Sequence, residues 1–192
     1  MIQPIYLYGS EVLRRKADEA DPSKKEELQQ LVTDLKDTLK HSEGCGLAAP
    51  QIGVSLRVLV VDGNEVADVY PYLKGFTRVM INPVVVSESD EQCEFSEGCL
   101  SVPGIYADVR RPSSMTVKYL NEDLEEVTET FDKFGCRMVQ HEMSHLDGVL
   151  FTDLVVPIRR KMLSKKLINI TRGKVSTVYK TKIKYYGSFS RI

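Results

Sequence analysis

The sequence is poor in histidine: only His41, His141 and His145 occur in 192 residues. Any site built from imidazoles therefore has few candidates. Cysteine is sparse as well, at positions 45, 93, 99 and 136. Four in a chain of this size do not make a disulfide framework, and in a reducing cytosol they stand as free thiols or metal ligands. No apolar run approaches the roughly 20 residues that span a bilayer, so no membrane partner is expected. The opening Met1-Ile2-Gln3-Pro4-Ile5-Tyr6 lacks a charged region leading into an apolar one. No secretion signal is expected from it, and the Arg- and Ser-rich bias of a transit peptide is missing too. Glutamate stops at Glu142, and acidic residues of either kind stop at Asp153.

What is present is ordinary for a globular chain: 42% hydrophobic and 28% charged residues, enough for one well-buried domain. Charge is uneven. From Leu154 to Ile192 there are 11 Lys and Arg with no acid, whereas the net charge of the whole is −1. An acidic body carrying a basic arm over 154–192 points to an anionic partner, nucleic acid or the ribosome first, or to a solvated face that aids solubility.

Residues 1–20 read as an extended lead-in with a short turn near Gly9–Arg14. Asp21-Pro22-Ser23 opens a helix in which Ser23 and Glu26 have capping-box spacing. Leu28, Leu31, Val32, Leu35 and Leu39 recur at helical spacing, and Gly44 and Gly46 end it. The small-residue loop Gly44–Gly53 lets backbone amides approach a ligand closely. Residues 56–61 read as a strand, and 63–76 as a loop excursion. Residues 79–81 and 84–86 read as strands separated at Pro83 by an edge or break. A strand over 92–96 and a hairpin of 115–120 with 126–131 follow. Helices are expected over Gly135–Asp147 and Ile158–Ile170, and a strand or loose basic tail beyond Lys174.

The stretch Gln140-His141-Glu142-Met143-Ser144-His145-Leu146-Asp147-Gly148 contains His-Glu-x-x-His. Four residues of α-helix turn about 40° beyond a full circle, so both imidazoles leave one face and can hold one ion. Glu142 lies about 100° round from His141, beside that ion and able to handle a proton of bound water. Phe134 and Met138 share the histidine side, while Val139, Met143 and Leu146 form another apolar face. A helix apolar on both sides is buried, so the histidines face the interior.

A catalytic ion usually takes three protein ligands. With no glutamate after Glu142, a downstream Glu ligand is impossible. The pattern with a third His beyond the Gly also fails, because that position is Phe151. His41 ends an amphipathic helix and suits a solvent-facing role. Cys136 lies about 180° from His145 on a continuous helix. Cys45 and Cys99 both sit in Gly-containing loops, and spacing alone leaves the choice between them open. A thiolate with two imidazoles suits Zn²⁺ or Fe²⁺ rather than Mg²⁺ or Ca²⁺. A closed structural Cys₂His₂ site using Cys93 and Cys99, a metallopeptidase of another kind, and an RNA-binding protein acting through its basic arm remain as alternatives.

Three stretches together resemble peptide deformylases: Gly44-Cys45-Gly46-Leu47-Ala48-Ala49-Pro50-Gln51, Glu97-Gly98-Cys99-Leu100-Ser101 and Gln140–Leu146. Tyr8-Gly9 with Val12-Leu13-Arg14 is similar to the start of that family, so the resemblance runs over roughly residues 4–155. It implies an α+β fold with antiparallel or mixed sheets packed around a central buried helix carrying His-Glu-x-x-His, plus a C-terminal segment. It implies a single catalytic domain over 1–173 and a basic tail over 174–192. The implied activity is removal of the N-formyl group from formyl-methionine of nascent chains by a cytoplasmic bacterial enzyme. DNA is not a partner on this reading. The implied ligands are Cys99, His141 and His145, holding one divalent ion: Fe²⁺ physiologically, with Zn²⁺ or Ni²⁺ as substitutes. Glu142 becomes the proton carrier, and the Gln51 side chain and Leu100 N–H donate to the developing oxyanion. Gly46, Tyr106, Phe134 and Met138 become substrate contacts. Glu97 is expected to pair with Arg110 or Arg111. The family often has Asp where this chain has Ser144, so an altered hydrogen bond behind the ligands is expected there.

Overall fold

The computed structural model describes residues 1–184. Strands β1 (Ile5–Tyr6), β2 (Gly46–Ala48), β3 (Val58–Asp62), β4 (Thr77–Glu88), β5 (Gln92–Cys99), β6 (Val102–Pro112), β7 (Ser114–Leu120), β8 (Glu126–Asp132) and β9 (Thr181–Lys182) alternate with helices α1 (Lys25–Ser42), α2 (Lys133–Leu146), α3 (Phe151–Leu154) and α4 (Pro157–Thr171). This is a mixed α+β fold. Five strands make an antiparallel sheet in the order β2-β3-β4-β7-β8, β5 and β6 form a second antiparallel pair, and β1 runs parallel to β9.

The apolar run of β3 is explained by cover on both faces. Successive side chains of a strand point to opposite sides. Val58 and Val60 enter a cluster with Leu28, Leu31, Val32, Leu35 and Leu39 of α1. Leu59 and Val61 enter another with Val139, Met143 and Leu146 of α2. Nearly every residue of α2 from Gly135 to Leu146 is buried, Ser144 being the partly exposed one. At its end Gly148 adopts φ +71°, and a Cβ there would come within 2.6 Å of the Arg14 carbonyl oxygen. Only glycine fits that turn.

Several local expectations need correction. Helix α1 begins at Lys25 without a side-chain cap. The Asp21 carboxylate accepts the Ser23 N–H at 2.9 Å, a local turn that occupies the place of the expected capping box. The helix is closed by Glu43 at φ 55° rather than by a glycine. Pro83 does not divide two strands, because β4 runs through it with register shifts on both sides of 84–85 and Asn82 at φ 51°. A bulge absorbs the missing N–H of proline. Strand β6 was not foreseen at all. Its residues alternate faithfully, with Ile105, Ala107, Val109 and Arg111 buried between exposed Tyr106, Asp108 and Arg110.

After α4 the chain returns to its beginning. The N–H groups of Ile5 and Leu7 donate to the carbonyls of Lys180 and Lys182, each at 2.9 Å. Val175 and Ile183 pack on a cluster of Leu7, Val102, Phe151, Leu163 and Ile170. The rest of the expected basic tail, residues 185–192, lies outside the described residues. Among the described residues no helix is long and apolar enough to cross a membrane.

Candidate metal centre

Helix α2 and the end of β5 meet at a buried group of Cys99, His141 and His145. One ligand atom from each lies within 4.8 Å of the others. Cys99 Sγ is 3.3 Å from His145 Nε2. Helical spacing puts the two imidazoles together, their ring centroids 5.1 Å apart. The register shift between Gly98 and Cys99, where β5 turns into β6, brings the thiol to them. Thiol and imidazole donors suit a borderline ion such as Zn²⁺ or Fe²⁺. Cys93, needed for a closed Cys₂His₂ site, turns instead toward Arg137 Nη2 at 3.6 Å. Cys45 lies near the same cleft, but burial first and the Glu142 charge next push its thiol up to about 12.

Glu142 is 4% exposed, and its Oε2 has no hydrogen-bond partner. A buried carboxylate oxygen left open beside a candidate ion site fits a bound water. Burial pushes the carboxyl up, only partly opposed by His141 and Arg111, so that it titrates at about 7. That is the range in which a carboxylate exchanges protons effectively. A Cβ at residue 46 would stand 2.5 Å from Glu142 Oε1, so any larger residue there displaces that carboxylate. His145 is held well below the ordinary histidine range, by burial first and then by His141, and stays neutral.

Gln51 sits in a 3₁₀ turn after β2. Its Oε1 accepts the Ala48 N–H at 2.8 Å, which obliges Nε2 to face the cleft. That nitrogen lies 3.2 Å from Ser101 Oγ and 3.5 Å from Cys99 Sγ. Gly46, Leu100, Tyr106, Phe134 and Met138 border the same cavity, of about 530 Å³, as Gln51, Cys99, His141 and Glu142, and His145 lies against the Cys99 thiol. Tyr106 is 68% exposed and lies over Gly98, at the rim. Phe134 stacks on Tyr70 at 4.5 Å and meets Phe95 edge-on at 5.4 Å.

Behind the ligands lies a buried ionic network. The Glu97 carboxylate accepts Arg111 Nε at 2.8 Å, Arg111 Nη2 at 3.0 Å and Arg137 Nη1 at 2.7 Å, and contacts His141 Nδ1 at 2.8 Å. The expected partnership with Arg111 is present, while Arg110 is exposed. Burial alone would raise the Glu97 carboxyl. The bonds from His141 and Arg111 outweigh it and hold the group well below the usual carboxylate range. Ser144 Oγ accepts Arg111 Nη1 at 2.8 Å and donates to the Gln140 carbonyl at 2.9 Å. At this position a hydroxyl holds a guanidinium.

Sequence reasoning missed Arg137, Val66 and Tyr70, and the cavity residues Ser176, Thr177 and Tyr179. Arg137 was accessible in principle: it stands one helical turn before His141 on the same face. The excursion over 63–76 supplies Val66 to the cavity wall and Tyr70 to the Phe134 stack. No local pattern foretells either.

Comparison with known proteins agrees with this geometry. The polypeptide deformylase family model matches residues 2–161. A peptide deformylase of Pseudothermotoga lettingae is 44% identical over 179 residues, covering 93% of this chain and 98% of that protein. One from Fusobacterium nucleatum is 43% identical over 173 residues, covering 90% and 94%. The crystal structure of a peptide deformylase from Legionella pneumophila superposes with TM-score 0.79 at 38% identity, covering 91% of this chain and 98% of that one. The motifs, the fold and these relatives agree, and the chain belongs to the polypeptide deformylase family of hydrolases.

Proposed function

We propose that the protein removes the N-formyl group from the N-terminal formyl-methionine of newly synthesised proteins, in the cytoplasm of a bacterium. The observation that carries this reading is the convergence of Cys99, His141, Glu142 and the Gln51 amide on one cavity floored by α2, with His145 against the Cys99 thiol. In this reading α2 is the helix around which the sheets are arranged. Residues 1–173 carry every reacting group, and 174–192 form an appended basic segment.

Cys99, His141 and His145 would hold one divalent ion, Fe²⁺ physiologically, with Zn²⁺ or Ni²⁺ as substitutes. When bound, such an ion supplies Lewis acidity and makes water ionise near neutral pH. Glu142 takes a proton from water and delivers one to the amine nitrogen as the formyl C–N bond breaks. The products are formate and a free α-amino group. Gln51 Nε2 and the Leu100 N–H donate to the oxygen that gains charge, and losing one such donor costs about 3–4 kcal/mol of transition-state stabilisation. Glu97, through His141 Nδ1, fixes which imidazole nitrogen faces the ion. Met138 and Phe134 receive the methionine side chain, Gly46 offers backbone contacts, and Tyr106 borders the rim.

The test is formate release from formyl-Met-Ala, with metal content measured alongside. Wild type should release formate, and Glu142→Ala should keep its metal but lose turnover by several orders of magnitude. Peptide-bond cleavage without formate would refute the proposal. The basic face of α4, with Arg159, Arg160, Lys161, Lys165 and Lys166 exposed, is the proposed ribosome contact. Ribosome co-sedimentation that weakens with salt is expected for it, and salt-independent or absent binding would remove that part.

A further inference from the structure

The family match ends at residue 161, yet residues well beyond it form part of the cleft. Ser176, Thr177 and Tyr179 border the same cavity as Gly46. They are held there by the β1–β9 pairing and by a local turn in which Thr177 Oγ1 donates to the Tyr179 carbonyl at 2.7 Å. The Tyr179 ring packs beside Leu100 among the apolar residues around α1. Its hydroxyl donates to the Leu100 carbonyl at 2.8 Å.

That contact falls on the turn between β5 and β6. Cys99, Leu100 and Ser101 join β5 to β6 across a register shift. Ser101 is tied on two sides, its carbonyl accepting the Tyr8 N–H at 2.8 Å and its Oγ meeting Gln51 Nε2 at 3.2 Å. The Leu100 carbonyl is held by Tyr179. The Leu100 carbonyl shares one rigid peptide plane with the Ser101 N–H, so holding it fixes that plane and, with Ser101 tied on both sides, narrows the rotations left to Leu100.

We propose that Tyr179 is a positioning residue: its hydroxyl, carried in on the segment 174–184, steadies the peptide plane after Leu100 and so restrains the turn that presents the Leu100 N–H to the cleft. This rests on the deformylase reading for what Leu100 does there. The segment thereby completes a site whose ligands and proton carrier all lie before residue 150. Donors that are already aimed cost no reorganisation as charge develops, so loosening one lowers turnover rather than binding.

The experiment compares wild type with Tyr179→Phe, which keeps the ring and removes the hydroxyl. Turnover and KM are measured on formyl-Met-Ala, amide hydrogen exchange is followed over 97–102 in the ion-free protein, and Tm is recorded. One neutral hydrogen bond is worth roughly a factor of five to ten, so kcat should fall by about that much with KM within twofold. Exchange at Leu100 and Ser101 should rise while Tm moves little. Unchanged kcat, a loss confined to KM, or unchanged exchange overturns the proposal. So does a large fall in Tm with normal kcat per folded molecule, which assigns Tyr179 to packing alone. Should wild type release no formate, the deformylase reading fails by itself, and the exchange comparison still decides whether Tyr179 holds the turn.

Discussion

Glu97→Gln is the most exacting perturbation the structure offers. The carboxylate is 4% exposed and is shared by Arg111 at 9%, Arg137 at 2% and His141 at 11%. An amide of the same shape keeps the volume and one acceptor. It removes the negative charge, leaving two buried guanidiniums uncompensated and one contact donor-to-donor. Removing one partner of a buried ion pair costs about 3–5 kcal/mol. A domain of this size has roughly 5–15 kcal/mol in total. For 150–250 residues each kcal/mol moves Tm by about 2–4 °C, so the loss should be roughly 6–20 °C. Urea titration of the ion-free protein should show a lower midpoint with unchanged slope. The pH dependence has a definite sign. Because the folded carboxyl is depressed, the wild-type advantage is fully present above the unfolded value of about 4.3. It narrows as pH falls below that toward the folded value. Metal affinity should fall by about 10- to 100-fold, since His141 Nδ1 loses its anionic partner. A stability loss under about 1 kcal/mol, or a gap between the proteins that persists unchanged into acid, would refute the reasoning.

Three further outcomes follow from the same geometry. Gly46→Ala should leave the protein folded but displace the Glu142 carboxylate, lowering kcat about 100-fold, since displacements near 1 Å cost that much; near-normal kcat in a folded variant would contradict the close approach. Ser144→Asp should add a carboxylate against Arg111, where two guanidiniums share one, and raise stability by about 1 kcal/mol in urea titration; a destabilised variant would show that burial outweighs the new pairing. Iron-loaded enzyme should lose activity in air while nickel-loaded enzyme keeps it, because both Fe²⁺ and the Cys99 thiolate oxidise; equal decay of the two, followed by formate release, would count against an iron site.

The legible parts of the chain were those with a period or a composition behind them. The stripe Leu28 to Leu39 and the four-residue spacing of imidazoles announce α1 and α2 because helical geometry is local. The absence of any later glutamate restricts the ligand set by bare chemistry. The choice of Cys99 over Cys45 was not legible from spacing, because it depends on a register shift between β5 and β6 that brings one thiol inward. Strand β6 escaped notice although its alternation is regular. Pro103 and Gly104 opened it, and the buried place taken by Arg111 reads as polar until Glu97 and Ser144 are known to meet it. Arg137 and Tyr179 were invisible for a similar reason: each is defined by a partner far off in sequence.

The pairing of β1 with β9 also bears on how the protein is made. Ile5 meets Thr181 and Tyr6 meets Lys182, the widest separation along the chain of any strand pair among the described residues. Closing so long a loop is slow, and its entropy is lost before the contacts form. Strand β1 must therefore wait for β9. Until translation has passed Lys182, Ile5 and Leu7 lack the partners of their N–H groups, and the turn holding Leu100 lacks its tyrosine. A nascent copy can fold its five-stranded sheet, yet its cleft is finished only once residues 177–182 have been made.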